Sequence, residues 1–298
     1  MNEPTVDRPR GDRWIFGAGY LGLRVAETWL SQGYATHIVT RSPDKARRWA
    51  EQGFVTHVAD IRKDGDLPWN ADIDAVLWAV GFDRTVGTTI EQVQVDGLRH
   101  VLSSLSRAGH KARIWVQIST TGVYGDCAGD WVDESTPCSP QRASGVAALE
   151  AERLVAESPV IEASVALRLA GIYGPNRVPN LQQLRNRQPI EADPTGWLNL
   201  IHVADAVGAI EAAVTHPVGK RAATYVISDG NPVVRRAYYN CVAERFELPS
   251  PIFEPPAIGS SKAARGMGSK RANSQLFWQT YNAQPLYPTY EQGLAASY

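Results

Sequence analysis

Residues Trp14-Ile15-Phe16 form a short apolar run, and Gly17-Ala18-Gly19-Tyr20-Leu21-Gly22 follows it directly. Leu23-Arg24-Val25-Ala26 then opens a helical pattern. Three glycines in G-x-G-x-x-G spacing, between a strand and a helix, constrain the fold more than any other stretch of this chain. Gly17 permits the tight strand-to-helix turn. Gly19 lets the backbone approach a pyrophosphate where a Cβ would collide, and Gly22 lets the helix pack closely on the strand. The amides of the helix start, with Tyr20 and Leu21 between the glycines, then face two phosphates. The turn is read as a dinucleotide cradle; the competing reading is a glycine-rich turn of purely structural use.

The pattern downstream agrees. A helix runs to about Gln32 and is closed by Gly33. Thr36–Thr40 reads as a strand, Pro43 to Gln52 as a helix closed by Gly53, and Phe54 to Ala59 as a third strand. Ile73 to Ala79 reads as a fourth strand ending at Gly81, a helix follows over about Thr88–Ala108, and Arg113 to Ser119 is a fifth strand. Ala143–Glu157 is helical and Val165–Leu169 a sixth strand. Strands alternating with helices imply βαβ units, hence an α/β fold of the Rossmann type: a doubly wound parallel sheet, with its ligand at the carboxyl ends of the strands. After Gly174-Pro175, Pro, Asn and Arg become frequent and strands short. The dinucleotide-binding domain is therefore expected over 1–175. A smaller C-terminal substrate lobe takes 176–198 and 229–298, and 199–228 returns to the main sheet. Pro249 to Arg271 reads as loop.

Composition narrows the partners. The 298 residues carry a formal net charge of -1 with no basic block, which argues against nucleic acid or an anionic membrane surface as main partner. The three cysteines, Cys127, Cys138 and Cys241, are scattered and odd in number, and the six histidines show no ligand spacing, so neither a disulfide framework nor a metal site is expected. Residues 1–13 lack an apolar signal region and no run approaches membrane-spanning length, so the expected location is the cytoplasm.

Three further stretches are specific. Ser119-Thr120-Thr121-Gly122-Val123-Tyr124-Gly125-Asp126 follows the fifth strand, Arg168-Leu169-Ala170-Gly171-Ile172-Tyr173-Gly174-Pro175 follows the sixth, and Asn199-Leu200-Ile201-His202-Val203-Ala204-Asp205-Ala206 comes next. With the glycine turn, these make the chain from about Trp14 to Leu294 resemble the extended short-chain dehydrogenase/reductase superfamily, which contains nucleotide-sugar epimerases and dehydratases. It is most similar to an atypical branch of that superfamily. The resemblance implies a Tyr-x-x-x-Lys pair downstream of Pro140, where tyrosine exchanges a proton and lysine lowers its pKa; four residues apart on a helix, the two share a face. Here the tyrosine slot holds Ser144 and the lysine slot Ala148, with Glu152 in its family place. No other Tyr-x-x-x-Lys occurs in the chain.

Thr120 occupies the slot of the family's catalytic serine or threonine; it either hydrogen-bonds a substrate carbonyl or satisfies backbone at the strand end. Tyr124, in the loop bordering the same pocket, is the replacement acid to weigh, although the corresponding family tyrosine is mostly structural and an ordinary phenol exchanges protons poorly at neutral pH. His202 and Asp205 resemble an acid–base pair but fall on a structural strand-to-helix junction, where Asp205 can cap the helix. Trp197, Arg177, Arg187 and Arg236 fall in the expected substrate lobe, where the resemblance implies one or two arginines facing a substrate diphosphate. Trp29, Trp49 and Tyr34 read as packing residues.

The end of the second strand reads the adenosine ribose, and an acid there selects NAD. This chain has Val39-Thr40-Arg41-Ser42 instead. Arg41 suits a 2′-phosphate and Ser42 adds a hydroxyl, which favours NADP over NAD. Asp60-Ile61 resembles the family's adenine-contacting pair. Ala79-Val80-Gly81, Ser119 and Ile172 complete the expected cofactor contacts. Two functions follow. The first is an NAD(P)-dependent epimerase, dehydratase or reductase with a non-standard proton donor, acting on a nucleotide-sugar or other small carbonyl or hydroxyl substrate. The second is a cofactor-binding sensor or scaffold without turnover. Either a monomer or a homodimer fits.

Overall fold

The computed structural model describes residues 11–63, 65–82, 87–216, 219–257 and 266–298. Two compact units divide the chain: Met1–Gln117 with Leu154–Ser164, and Ile118–Arg153 with Val165–Tyr298.

The first unit is a run of strand–helix repeats. β1 (Asp12–Phe16) leads through the glycine turn into α1 (Gly22–Ser31), then β2 (Thr36–Thr40), α2 (Pro43–Glu51), β3 (Val55–Val58) and β4 (Ile73–Trp78). A five-residue π-helical segment, Gln92–Asp96, continues into α3 (Gly97–Arg107), and β5 (Ala112–Thr120) follows. The helix expected over Thr88–Ala108 is thus interrupted by a wider turn. Residues 83–86 lie outside the described set. Strands β5-β4-β1-β2-β3 lie side by side, and each of these four pairings is parallel. Trp14-Ile15-Phe16 of β1 is a continuous apolar run, buried on successive residues as in a strand covered on both faces. Local chemistry sets the helix starts: Ser42 caps α2 by accepting from the Lys45 amide, with Pro43 at the first position.

One face of this sheet carries an aromatic stack. Trp14 lies 4.5 Å from Trp69, Phe16 5.4 Å from Trp78, and Trp78 6.2 Å from Trp115, ring centre to ring centre. Trp14, Phe16, Trp78 and Trp115 are fully buried. Aromatic pairs at such spacings add about 0.5–1.5 kcal/mol each beyond their burial. The stack ends in polar groups: Trp14 stacks on His37 and His57, whose rings approach at 2.9 Å nitrogen to nitrogen, and His37 meets Asp12 at 3.2 Å. Trp29 is buried, and the Arg13 guanidinium sits 3.3 Å over the Tyr34 ring while pairing with Asp74, so both aromatics pack as expected.

The second unit begins with the end of β5 and a 3-10 turn, Thr121–Tyr124, followed by β6 (Trp131–Val132), α4 (Ala143–Glu157), β7 (Ile161–Leu169) and β8 (Gly171–Tyr173). Next come α5 (Leu181–Arg185), β9 (Ile190–Glu191), β10 (Trp197–Leu198), β11 (Leu200–His202), α6 (Val203–Thr215) and β12 (Ala222–Ile227). The chain closes with β13 (Val233–Val234), α7 (Arg235–Arg245), β14 (Phe253–Glu254), β15 (Arg271–Ala272) and helices Gln275–Thr280 and Tyr290–Ser297. The large sheet has the order β12-β7-β5-β4-β1-β2-β3 among the described residues. Its order reverses beside β1, the doubly wound arrangement expected. The strand at 200–202 pairs with β8 in a sheet of its own, and the main-sheet strand of that region is β12, twenty residues on. β10 with β13, β14 with β9 and β15 with β6 make further two-stranded sheets.

Candidate functional site

The glycine turn is built as its spacing demands. Gly17 has φ +94°, and a Cβ there would collide with the Ala79 carbonyl. A Cβ on Gly22 would collide with the Gly17 carbonyl. Around the Cβ direction of Gly19, in contrast, no heavy atom lies within 4 Å. The start of α1, at Leu21-Gly22, has no side-chain cap and no acid in its first turn. The start of α2 is capped by Ser42, that of α6 by His202, and that of Tyr290–Ser297 by Thr289. A helix start without a side-chain cap beside an open glycine is the form an anion site takes, and here the Gly19 and Leu23 amides already donate to the Gly17 and Gly19 carbonyls. Arg24 lies over the Tyr20 ring and donates to the Tyr20 carbonyl at 2.6 Å, holding the turn from outside.

The carboxyl end of β2 and the segment after β3 carry arginines. Arg41 is exposed at the end of β2, and the hydroxyl of Ser42 serves as the α2 cap. Asp60 is held by Arg62 through 2.9 and 2.6 Å side-chain bonds and a 3.1 Å bond from its amide. These bonds, with further attraction from Arg62 and Arg41, hold the Asp60 carboxyl down at about 2. Arg62 is thus a second arginine here, directly after the expected pair. Ile61 packs on Gly97 at the start of α3, with 3.1 Å to the position of a Cβ there, and its carbonyl meets His100 Nδ1 at 3.2 Å. The Ala79 amide donates to Phe16 at 2.8 Å, the Val80 carbonyl accepts from Gln94 Nε2 at 3.2 Å, and Gly81 is exposed.

In the second unit a cavity of about 640 Å³ opens at the end of β5. It collects Ser119, Thr120 and Ile172 from the expected set, with Arg177 and Trp197 from the expected lobe. It also collects Arg142, Arg235 and Lys270. Four cationic side chains therefore line it, against the single carboxylate of Glu191. Neither Arg187 nor Arg236 is among its lining residues: Arg187 borders a separate hollow beside Pro249–Ile252, and Arg236 lies over Phe253. Thr120 Oγ1 accepts from the Gly122 amide at 3.0 Å and caps the 3-10 turn, which leaves its hydroxyl proton free to donate.

Tyr124 is 1% exposed, and its hydroxyl oxygen accepts from Arg168 Nη1 at 2.9 Å. Arg168 is bound in turn to Glu152 through Nε and Nη2, the latter at 2.7 Å, and Ser119 Oγ donates to the same carboxylate. This is a closed, buried network of Ser119, Glu152, Arg168 and Tyr124. Burial outweighs the arginine and pushes the Tyr124 phenol up to about 12. Tyr124 is absent from the cavity lining. A phenol so placed is a structural member of a buried ion-pair network and a poor acid at neutral pH. Ser144 is half-buried at the start of α4, and Ala148 packs inside the cluster of Val123, Tyr124, Val132, Val226 and Ala272.

His202 Nδ1 accepts from the Ala204 amide at 3.2 Å and its Nε2 meets Ser297 Oγ at 3.1 Å. Asp205 accepts from the amides of Leu286 and Tyr287 at 2.5 and 3.1 Å. His202, not Asp205, caps α6, and both tie the C-terminal segment down; neither lines the cavity.

The doubly wound sheet, the glycine turn on an uncapped helix and a polar cavity at the end of β5 define an α/β protein of the Rossmann class. The chain belongs to the NAD dependent epimerase/dehydratase family, whose model matches residues 15–228. Among curated proteins it is 27% identical to Protein YeeZ of Escherichia coli over 273 residues, covering 90% of this chain and 95% of the relative. It is also 27% identical to the 3-diazoavenalumate denitrifying reductase of a Streptomyces species, covering 68% of this chain and 70% of that protein. Among solved structures, MoeE5 in complex with UDP-glucose and NAD has the same fold, with a TM-score of 0.75, 21% identity and coverage of 96% of this chain and 97% of that one.

Proposed function

We propose that this protein binds a nicotinamide dinucleotide, NADP in preference to NAD, and uses it in an epimerase-, dehydratase- or reductase-type reaction on a small anionic carbonyl or hydroxyl substrate. The observation that carries the reading is the uncapped start of α1 above the open Gly19 position, a cradle for a pyrophosphate. Arg41 and Arg62, flanking Asp60, support the NADP preference, because Asp60 is already engaged by Arg62. The cofactor supplies hydride transfer. The chain's own residues supply the rest: the cations of the cavity hold the anionic substrate, and the Thr120 hydroxyl donates to its reacting oxygen. A nucleotide sugar, the ligand class of MoeE5, fits the excess of arginine and lysine, and so does a carboxylate of the kind an aromatic acid carries. Titrating NADPH and NADH against tryptophan fluorescence tests the binding half; tighter binding of NADPH is expected, and binding of neither would sink the proposal. Following absorbance at 340 nm across sugar nucleotides and carbonyl acids tests the redox half.

A second reading, a cofactor-binding sensor or scaffold, is favoured by Ala148. The lysine slot is sealed in an apolar cluster, so the usual proton relay is missing rather than displaced. Nucleotide binding with no absorbance change on the whole panel is the result that would select it.

A further inference from the structure

The missing relay leaves a chemical requirement: a group in the cavity must exchange a proton at about neutral pH. Tyr124 is walled off behind Arg168, and Thr120 alone is far too weak an acid. Arginine stays charged throughout, which removes Arg142, Arg177 and Arg235 as proton donors. Beside Glu191 and Tyr239, whose hydroxyl oxygen accepts from Asn180 Nδ2 at 2.7 Å, the cavity holds one titratable cation, Lys270.

Its position is set by backbone. The segment 269–273 is stitched to the loop after the 3-10 turn: Cys127 and Gly129 amides donate to the Ser269 carbonyl at 3.1 and 3.0 Å, the Arg271 amide to Asp130 at 2.8 Å, and the Asn273 amide to Val132 at 2.9 Å. The Ser269 amide donates to Asp126 Oδ1 at 2.8 Å. Gly125 then turns its carbonyl to Lys270 Nζ, 2.6 Å away. That turn needs glycine, since φ is +71° and a Cβ would collide with the Ser139 carbonyl. An ammonium has three donors and this bond uses one. Among the described residues Lys270 forms no ion pair. Its titratable and charged neighbours are Arg142, Arg235, Asp126 and the Cys127 thiol, which burial keeps protonated; burial of Lys270, with the two arginines, outweighs the opposing pair and draws its pKa down. A lysine is most useful as an acid when its pKa falls toward the working pH.

We propose that the Lys270 ammonium is the proton donor of this cavity, in place of the helix-borne tyrosine–lysine pair of the family. The inference rests on the redox reading above. In the reductive direction the substrate carbonyl takes hydride from a dihydronicotinamide at carbon and a proton from Lys270 Nζ at oxygen. The C=O π bond breaks, C–H and O–H bonds form, the dihydronicotinamide is oxidised, and the neutral amine regains its proton from solvent. In the oxidative direction the neutral amine accepts the hydroxyl proton.

Two measurements test it. Reductive methylation with isotopically labelled formaldehyde, assigned with K270R, gives the titration of each lysine by NMR in the full chain. Lys270 is expected to titrate below the surface lysines, because burial and the neighbouring arginines disfavour its charge; titration together with them overturns the proposal. The second is NADPH oxidation by the carbonyl panel with wild type, K270M and K270R, alongside NADPH affinity and thermal unfolding. Both variants are expected to keep NADPH affinity and to lose roughly 10²–10⁴-fold in kcat. Arginine keeps the charge and fails as a proton donor, so rescue by K270R means that Lys270 only positions, and the proposal falls. Turnover in K270M within a few-fold of wild type overturns it as well. A wild type that binds NADPH and reduces nothing fails the redox reading, and this inference with it; an active wild type with unaffected variants fails the inference alone.

Discussion

Gly17 and Gly19, with one residue between them, separate stability from binding. Gly17 sits at φ +94° against the Ala79 carbonyl, so Gly17→Ala stores strain in the fold and is expected to cost about 1–3 kcal/mol in urea unfolding. Gly19 faces open space, so Gly19→Val is expected to leave the unfolding midpoint unchanged and to weaken NADPH roughly 10–100-fold, the worth of one or two charge-assisted bonds. Isothermal titration beside thermal unfolding separates the two. Arg41, exposed and uncommitted to a backbone role, divides the cofactors: Arg41→Ala is expected to weaken NADPH about tenfold and leave NADH unchanged. The glycine turn was legible in the sequence because Gly17 and Gly22 are demanded by local backbone geometry. Arg62 and Lys270 were not, because no local pattern marks them. Arg62 matters through its grip on Asp60, and Lys270 through a ladder to a loop 140 residues earlier in the chain.

Among the elements, periodicity and capping residues account for β1 to β5 and for α1, α2 and α4, where long apolar runs end in glycine or start at serine and proline. The π-helical segment Gln92–Asp96 has no such signal, since one extra residue per turn changes register and not composition. Two-residue pairings such as β15 with β6 are too short to leave any period. α4 carries the clearest consequence. Its lysine slot, Ala148, lies in an apolar cluster with Val123, Val132 and Val226. Ala148→Lys, which restores half of the family pair, is therefore expected to destabilise the protein by about 3–5 kcal/mol, the cost of an uncompensated buried charge. Urea denaturation reads this directly, and a variant as stable as wild type would mean that the cluster opens.

At the scale of the whole molecule, one buried group in each unit is expected to make stability depend on pH with opposite signs. In the first, burial and the nearby His37 hold His57 down at about 4. Its unfolded form takes up a proton near 6.5, so the unit's stability is complete above that pH and falls as pH drops toward 4. In the second, Asp229 follows β12, is 4% exposed, and burial pushes its carboxyl up to about 8. Here the folded form keeps a proton that the unfolded form has lost, so stability falls as pH climbs from about 4 to 8. Hydrogen exchange resolved by segment is expected to show β2 and β3 loosening in acid and α7 loosening in mild base, with Asp229→Asn abolishing the second effect. The sheet order has a separate consequence for how the chain is made. β12 pairs with β7 and follows it by about fifty residues. On the ribosome that delay is roughly 3–10 s at ordinary synthesis rates. Through that interval the nascent sheet ends in a bare edge, the kind of strand that recruits the wrong neighbour. The late arrival of β12 makes completion of this sheet a natural point for chaperone dependence, and places the risk of misassembly in synthesis and not in the finished fold.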